Sequence, residues 1–199
     1  MFNKVQNTKY LYDNIKNGDF IGFYTRPWYY IFSKIISLVT GGKLSHVAGV
    51  FDVVRSKNIL SFRLGEQSLT YGKIITEYVM IDMGEKGITL DSRFRHPYSD
   101  FYLLPNGNLL DEFQNEQLAN YWQEKEDYSV KELAFTVNWF YKLFGDRGKV
   151  YDNNCSTACR ESMMRIGVYN ANEVDKVPNP TEFSKFSYID NIIKLDFSK

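Results

Sequence analysis

Val150-Tyr151-Asp152-Asn153-Asn154-Cys155-Ser156-Thr157-Ala158-Cys159-Arg160-Glu161-Ser162-Met163-Met164 is the stretch that decides how this chain is read. It begins as an extended approach, passes an Asn cap, and enters a helix whose first residue is Cys155. A thiol there meets the positive end of the helix dipole and backbone N–H groups with no partner inside the helix. Both favour thiolate, the form that attacks carbonyl carbon. Cys159, one turn further on, shares the helix face of Cys155 and is expected to pack rather than react. Two side chains so placed rarely meet disulfide geometry, so both cysteines are expected as free thiols of a reducing compartment.

A nucleophilic cysteine needs a base, and the chain has only two histidines, His46 and His96. His96 lies in Arg93-Phe94-Arg95-His96-Pro97, which reads as a surface loop. His46 opens a strand-like run over residues 45–54, followed by a second over 58–66, with Arg55, Ser56 and Lys57 as the turn. A three-residue turn pairs position 54 with 58. Counting outward, Val50 then faces Phe62, Ala48 faces Leu64, and His46 faces Glu66. That face is apolar until its open end, where an imidazole meets a carboxylate. Directly opposed residues have Cβ atoms ~4.5–5.5 Å apart. Glu66 is therefore the expected third member of a Cys155–His46–Glu66 set, holding the imidazole tautomer and stabilising the imidazolium. Gln67 and Glu77 are alternatives for that role. The backbone N–H of Cys155 is one natural oxyanion donor, and the phenol of Tyr151 is a candidate second.

Outward from these motifs the chain alternates clear signals. Residues 8–17 look helical and stop at Gly18, and residues 19–24 read as a strand. Pro27 opens a helix in which Trp28, Ile31, Phe32, Ile35, Ile36 and Val39 form one apolar stripe, ended by Gly41 and Gly42. Trp28, Tyr29 and Tyr30 cluster at one end of it, a place for core packing or a lipid-facing edge. Further strands are expected over 74–81 and 100–104, with a long surface loop over 84–98. Asp111 with Gln114, and Ser129 with Glu132, are capping-box signals for helices near 112–126 and 130–144. The Cys155 helix should run to about Ile166 and end at Gly167. Asn179-Pro180-Thr181-Glu182 caps a short final helix. Strands in the first half and helices in the second predict an α+β fold with an antiparallel sheet packed on helices, the Cys-bearing helix among them.

Several motifs together resemble a known family. Gly18-Asp19-Phe20-Ile21, Leu38-Val39-Thr40-Gly41-Gly42 and Leu44-Ser45-His46-Val47-Ala48 are similar to the front half of circularly permuted papain-like cysteine hydrolases. These are the NlpC-related, YiiX-like proteins and, more distantly, lecithin:retinol acyltransferase-like enzymes. Leu64-Gly65-Glu66 is similar to their strand bearing the third polar residue, and Tyr151-Asp152-Asn153-Asn154-Cys155-Ser156 to their Cys-bearing helix start. The order His, polar residue, Cys is also theirs. The resemblance touches most of residues 18–66 and 128–167, and departs from the family at Thr157-Ala158-Cys159. It implies a permuted papain-like (NlpC-type) domain and Cys-His-Glu acyl-enzyme chemistry on a peptide, a peptidoglycan fragment or a lipid amide.

The totals bound the rest. At 199 residues the chain suits a single domain spanning 1–199. Hydrophobic residues make up 44%, enough for a folded core. Lys+Arg and Asp+Glu both number 24, so bulk charge calls for no nucleic acid. Two Cys and two His match no zinc spacing, and the chemistry needs no cofactor. Residues 1–7 lack the apolar core of a signal peptide, and no apolar run is long enough to span a membrane. A cytoplasmic or phage (virion-associated) place is expected. The expected function is hydrolysis of an amide bond by a peptidase or amidase, with cell-wall peptides among the candidates. The alternatives are a lipid acyl hydrolase or acyltransferase with the same dyad, or a non-catalytic binding or virion module on the same fold.

Overall fold

The computed structural model describes residues 4–25, 44–68, 73–84, 89–90, 99–124, 155–168, 183–186, 189 and 192–195. Within them, helix α1 (Lys4–Asn14) leads into strand β1 (Phe20–Thr25). Strands β2 (His46–Ser56), β3 (Ile59–Ser68), β4 (Lys73–Asp82), β5 (Thr89–Leu90) and β6 (Ser99–Leu104) follow. Helices α2 (Glu112–Glu124) and α3 (Cys155–Arg165) come next, and strand β7 (Ile193–Leu195) last. The strands form one sheet in the order β5-β4-β3-β2-β1-β6-β7, every pair antiparallel. The fold is α+β with an antiparallel sheet, and α3 packs on β2 and β3.

The expected Cys155 helix ends at Gly167, whose φ of 73° suits the left-handed cap. Val168 N–H donates to Met163 O at 2.9 Å and Gly167 N–H to Met164 O at 3.1 Å. These two bonds form a Schellman motif that satisfies the last carbonyls. At the start of α2 the expected capping box is present in both directions. Gln114 N–H donates to Asp111 Oδ1 at 2.7 Å, and Asp111 N–H donates to Gln114 Oε1 at 3.1 Å. The amide of Gln114 also donates to Ile166 O at 2.8 Å, tying the start of α2 to the end of α3.

The β2–β3 register differs from the expectation by two residues. The turn is Lys57–Asn58, with Ser56 opposite Ile59, rather than the three residues 55–57. A bulge between Phe51 and Val54 then adds one residue to β2. Asp52 takes φ 52° there, and Val53 N–H donates to Asn17 Oδ1 at 2.8 Å, so the bulged donor stays satisfied. Beyond the bulge Val50 lies opposite Leu64 and Gly49 opposite Gly65. A shift of two preserves the faces: Ala48, Val50, Phe62 and Leu64 share one buried cluster, as the alternation requires. The expected pairing of His46 directly opposite Glu66 does not hold, because the β2–β3 ladder ends at Gly49 and Gly65.

Each sheet face has its own core. One face packs Phe20, Val47, Phe51 and Leu104 against Trp122 of α2 and against Ala158, Cys159 and Met163 of α3. The other packs Ile21, Phe23, Val50 and Leu64 with Leu11 and Ile15 at the end of α1. Trp122 lies flat on the backbones of Gly49 and Gly65: a Cβ at Gly65 would fall 2.1 Å from its ring and one at Gly49 2.7 Å. Two paired glycines thus make the shallow seat that lets α2 approach the sheet. Asp19, Asn106 and Met163 join the two cores at one corner. Asp19 accepts Lys16 N–H and Asn106 N–H, each at 2.9 Å, and the Asn106 amide reaches Gly18 O and Met163 Sδ.

Strands β5 and β7 stand where the sequence suggested loop or nothing definite. They are two- and three-residue strands held by Ile81–Asp82 and by Phe101–Leu103. Helix α1 starts at Lys4, earlier than position 8. The expected helices over 27–40 and 130–144, the Trp28–Val39 stripe, His96 and most of the 84–98 loop lie outside the described residues, as does the cap of the expected final helix. Among the described residues no helix is long and apolar enough to cross a membrane.

Candidate active site

Strand β2 begins at His46, pinned by the residue before it. Ser45 N–H and Oγ both donate to Phe23 O, at 2.8 and 3.1 Å. In the β1–β2 ladder Phe23 lies opposite His46, and their rings stack with centroids 5.4 Å apart at 38°. The imidazole therefore has one face held by an aromatic ring that itself packs edge-on against Phe101.

Its Nε2 lies 2.7 Å from Glu66 Oε2. With the two residues no longer directly opposed, the bond spans the strands on a diagonal, within reach of a long side chain. Glu66 is buried, its side chain 4% exposed, whereas that of His46 keeps 19%. The carboxylate is thus the more deeply buried of the two groups. Nε2 is occupied by Glu66, which leaves Nδ1 for the sulfur of Cys155, the other hydrogen-bond partner of His46.

Cys155 is the first residue of α3 and is half-buried. Its sulfur is held from three sides: by the His46 imidazole, by the main-chain N–H of Val47, and by Ser156 Oγ at 3.8 Å. Burial raises the thiol pKa, but the His46 charge and hydrogen bond, with the Val47 and Ser156 donors, outweigh it and hold the thiol below its ordinary value. The same pairing acts on the partner. Burial disfavours the imidazolium, yet the Cys155 and Glu66 charges beside it push His46 up to about 10. Both shifts run toward the charged forms, thiolate on Cys155 and imidazolium on His46.

Cys159 is the opposite case. It is fully buried in the core under the sheet, and burial pushes its thiol well above the ordinary value, with the Cys155 and Glu66 charges adding to the rise. As the sequence suggested, it packs.

Three of the four candidate residues therefore meet: Cys155 from a helix start, His46 from a strand start, and Glu66 from the neighbouring strand. Tyr151 lies outside the described residues. Of the alternatives for the third position, Glu77 is buried opposite Leu64 and Gln67 is buried one residue past Glu66. The carboxylate bonded to the imidazole is that of Glu66. Two contributions had no sequence signal. One is the Val47 N–H, a main-chain group that any residue type but proline would supply. The other is the Phe23 ring under His46, which depends on β1–β2 register.

Such a site can deliver a nucleophilic sulfur, a proton carrier and a fixed counter-charge to one carbonyl. Among the described residues no group of three or more His, Cys, Asp or Glu is placed to hold a metal ion. No family model matches the chain, and a search of curated proteins finds no match.

Proposed function

We propose that the protein is a cysteine-dependent hydrolase of amide bonds on a circularly permuted papain-like fold. The observation that carries this reading is the continuous hydrogen-bonded chain from Cys155 through His46 to Glu66, set at a helix N-terminus. Structural cysteines and histidines are usually satisfied by packing or by a single partner. A thiol held low beside an imidazole held high, with a buried carboxylate behind, is the arrangement of an activated nucleophile.

In the proposed reaction the Cys155 thiolate attacks the substrate carbonyl and the oxygen takes the displaced electron pair. The Cys155 N–H at the start of α3 donates to that oxyanion. Tyr151 is proposed as a further donor. The His46 imidazolium gives its Nδ1 proton to the departing amine, leaving an acyl thioester on Cys155. His46, now neutral, takes a proton from water as the water attacks the thioester, and thiolate and imidazolium are restored. Glu66 keeps Nε2–H donated to itself throughout, so the ring cannot turn away from the sulfur.

The substrate class proposed is a peptide or isopeptide, cell-wall peptides included. A binding module on the same fold would have no need of a low thiol or of a carboxylate behind the histidine. The partial exposure of Cys155 and the bond from His46 to buried Glu66 therefore weigh toward the enzyme.

The test is incubation with peptide-amide and lipid-amide substrates, with the acid-quenched protein read by mass spectrometry. An acyl adduct on the Cys155 peptide, lost in Cys155→Ala, is the expected result. Turnover of lipid amides alone would move the assignment to the lipid acyl hydrolases. No adduct with any amide or activated ester would leave a binding module.

A further inference from the structure

We propose that Phe23 is a positioning residue of this site, its π face seating His46 and stabilising the imidazolium that pairs with the Cys155 thiolate. The inference rests on the hydrolase reading above and adds to it the aromatic ring against the histidine.

The ring belongs to a row of side chains that crosses four strands. Leu195 of β7 lies opposite Phe101 of β6, Phe101 opposite Phe23 of β1, and Phe23 opposite His46 of β2. Directly opposed residues put their side chains on one face of a sheet. Leu195, Phe101 and Phe23 are all buried, Phe23 completely. The imidazole thus stands at the end of an apolar row. Phe101 meets Phe23 near the perpendicular, at 70° with centroids 5.5 Å apart, and limits its rotation from the far side. Phe23 in turn meets His46 at a tilt of only 38°, closer to an offset stack than to an edge contact.

An apolar neighbour alone would work against the charge on His46, because burial disfavours the imidazolium. Leucine at position 23 would supply burial and nothing more. A phenyl ring differs, since its face is negative and attracts a cation within about 6 Å of the centroid. The 5.4 Å between the two rings lies inside that reach. Among the described residues the charges beside the imidazole are Cys155 from α3 and Glu66 from β3. Both act through the ring nitrogens. Phe23 acts on the face, where an imidazole has no hydrogen bond to make. It also opposes turning: rotation about the Cβ–Cγ bond of His46 would break the bond to Glu66 and press a ring edge onto Phe23.

The experiment replaces Phe23 in the full chain with phenylalanines of rising ring fluorination, up to the fully fluorinated ring. Each fluorine draws electron density from the face and changes the shape little. Iodoacetamide alkylation of Cys155 is timed near pH 6, and the His46 ring is titrated by NMR. The expected result is a stepwise fall in rate, reaching about 5-fold at full fluorination, with the imidazolium lost at lower pH along the series. Phe23→Leu should fall by about as much. A rate that stays level across the series overturns the proposal. It does so even where Phe23→Leu is slow, because the ring would then serve packing alone. Should the fully fluorinated protein fail to fold, the less fluorinated members carry the same trend. Wild-type Cys155 that alkylates with the ordinary thiol pH profile would instead defeat the hydrolase reading itself.

Discussion

His46 Nε2 and Glu66 Oε2 meet at 2.7 Å across two strands whose ladder has already ended at Gly49 and Gly65. The bond is thus made by side chains alone, and no backbone pairing between the two strands holds the imidazole if it is lost. Glu66→Gln keeps the shape and removes the charge. It should lower Cys155 reactivity with iodoacetamide near pH 6 by roughly 10-fold or more, since the imidazolium that stabilises the thiolate loses its counter-charge. Any hydrolysis should fall by at least as much. Unaltered alkylation would mean that Glu66 is only a packing partner.

Gly65→Ala tests the seat of α2. The added Cβ would fall 2.1 Å from the Trp122 ring, too close for a small shift to relieve. Destabilisation of about 1–3 kcal/mol is expected, read by urea unfolding, with a change in Trp fluorescence. Gly167→Ala is the comparison: nothing lies near its Cβ, but its φ of 73° is strained for alanine. It should cost about 1 kcal/mol with no change in fluorescence.

Cys159→Ala separates the two thiols. Cys159 is fully buried and its thiol is held well above the ordinary value. At neutral pH the native protein should take up one equivalent of iodoacetamide, on Cys155, and the variant should do the same at the same rate. The substitution should cost about 1 kcal/mol for the small void it leaves. Labelling of Cys159 in the folded protein would contradict the packing described for α3.

Asp19 gives the fold a pH dependence of its own. Burial, opposed by its hydrogen bonds from Asn106 and Lys16, raises its carboxyl from 3.8 to about 6. The folded state therefore holds this proton more tightly than the unfolded one. Its contribution to stability is greatest below pH 3.8, falls as pH rises toward 6, and is level above that. The fall is on the order of 2–3 kcal/mol. Asp19→Asn should abolish this part of the slope, while weakening the bond from Lys16 N–H at a cost of about 1 kcal/mol. The stability difference between the wild type and the Asp19→Asn variant should therefore change across this range, as urea unfolding at a series of pH values would show. A difference that stays constant between about pH 4 and 7 would show that Asp19 titrates normally.

The sequence is most legible where one residue type permits one local geometry. Gly167 stops α3, Asp111 and Gln114 cap α2, and the alternation through Val50, Phe62 and Leu64 sets the faces of β2 and β3. The alternation puts His46 and Glu66 on one face of β2 and β3, but no local signal brings Cys155 to them, since that meeting depends on how α3 packs on the sheet. The exact register is hidden because the bulge at residues 52–53 depends on Asn17, whose side chain arrives from 36 positions away. Strands of two and three residues, β5 and β7, have no pattern of their own and exist only through their neighbours. The grip of Val47 N–H on the sulfur is a main-chain contact, so no side-chain pattern announces it.

The most direct measurement is the pH profile of iodoacetamide alkylation at Cys155, wild type against His46→Ala. In the native protein the rate should rise with an apparent pKa below 9.0, because His46 and its neighbours outweigh burial. In the variant burial acts with less to oppose it, so the apparent pKa should climb above that of the native protein and the rate at neutral pH should fall by about 10-fold or more. Overlapping profiles for the two proteins, each rising at the ordinary thiol value, would contradict the account.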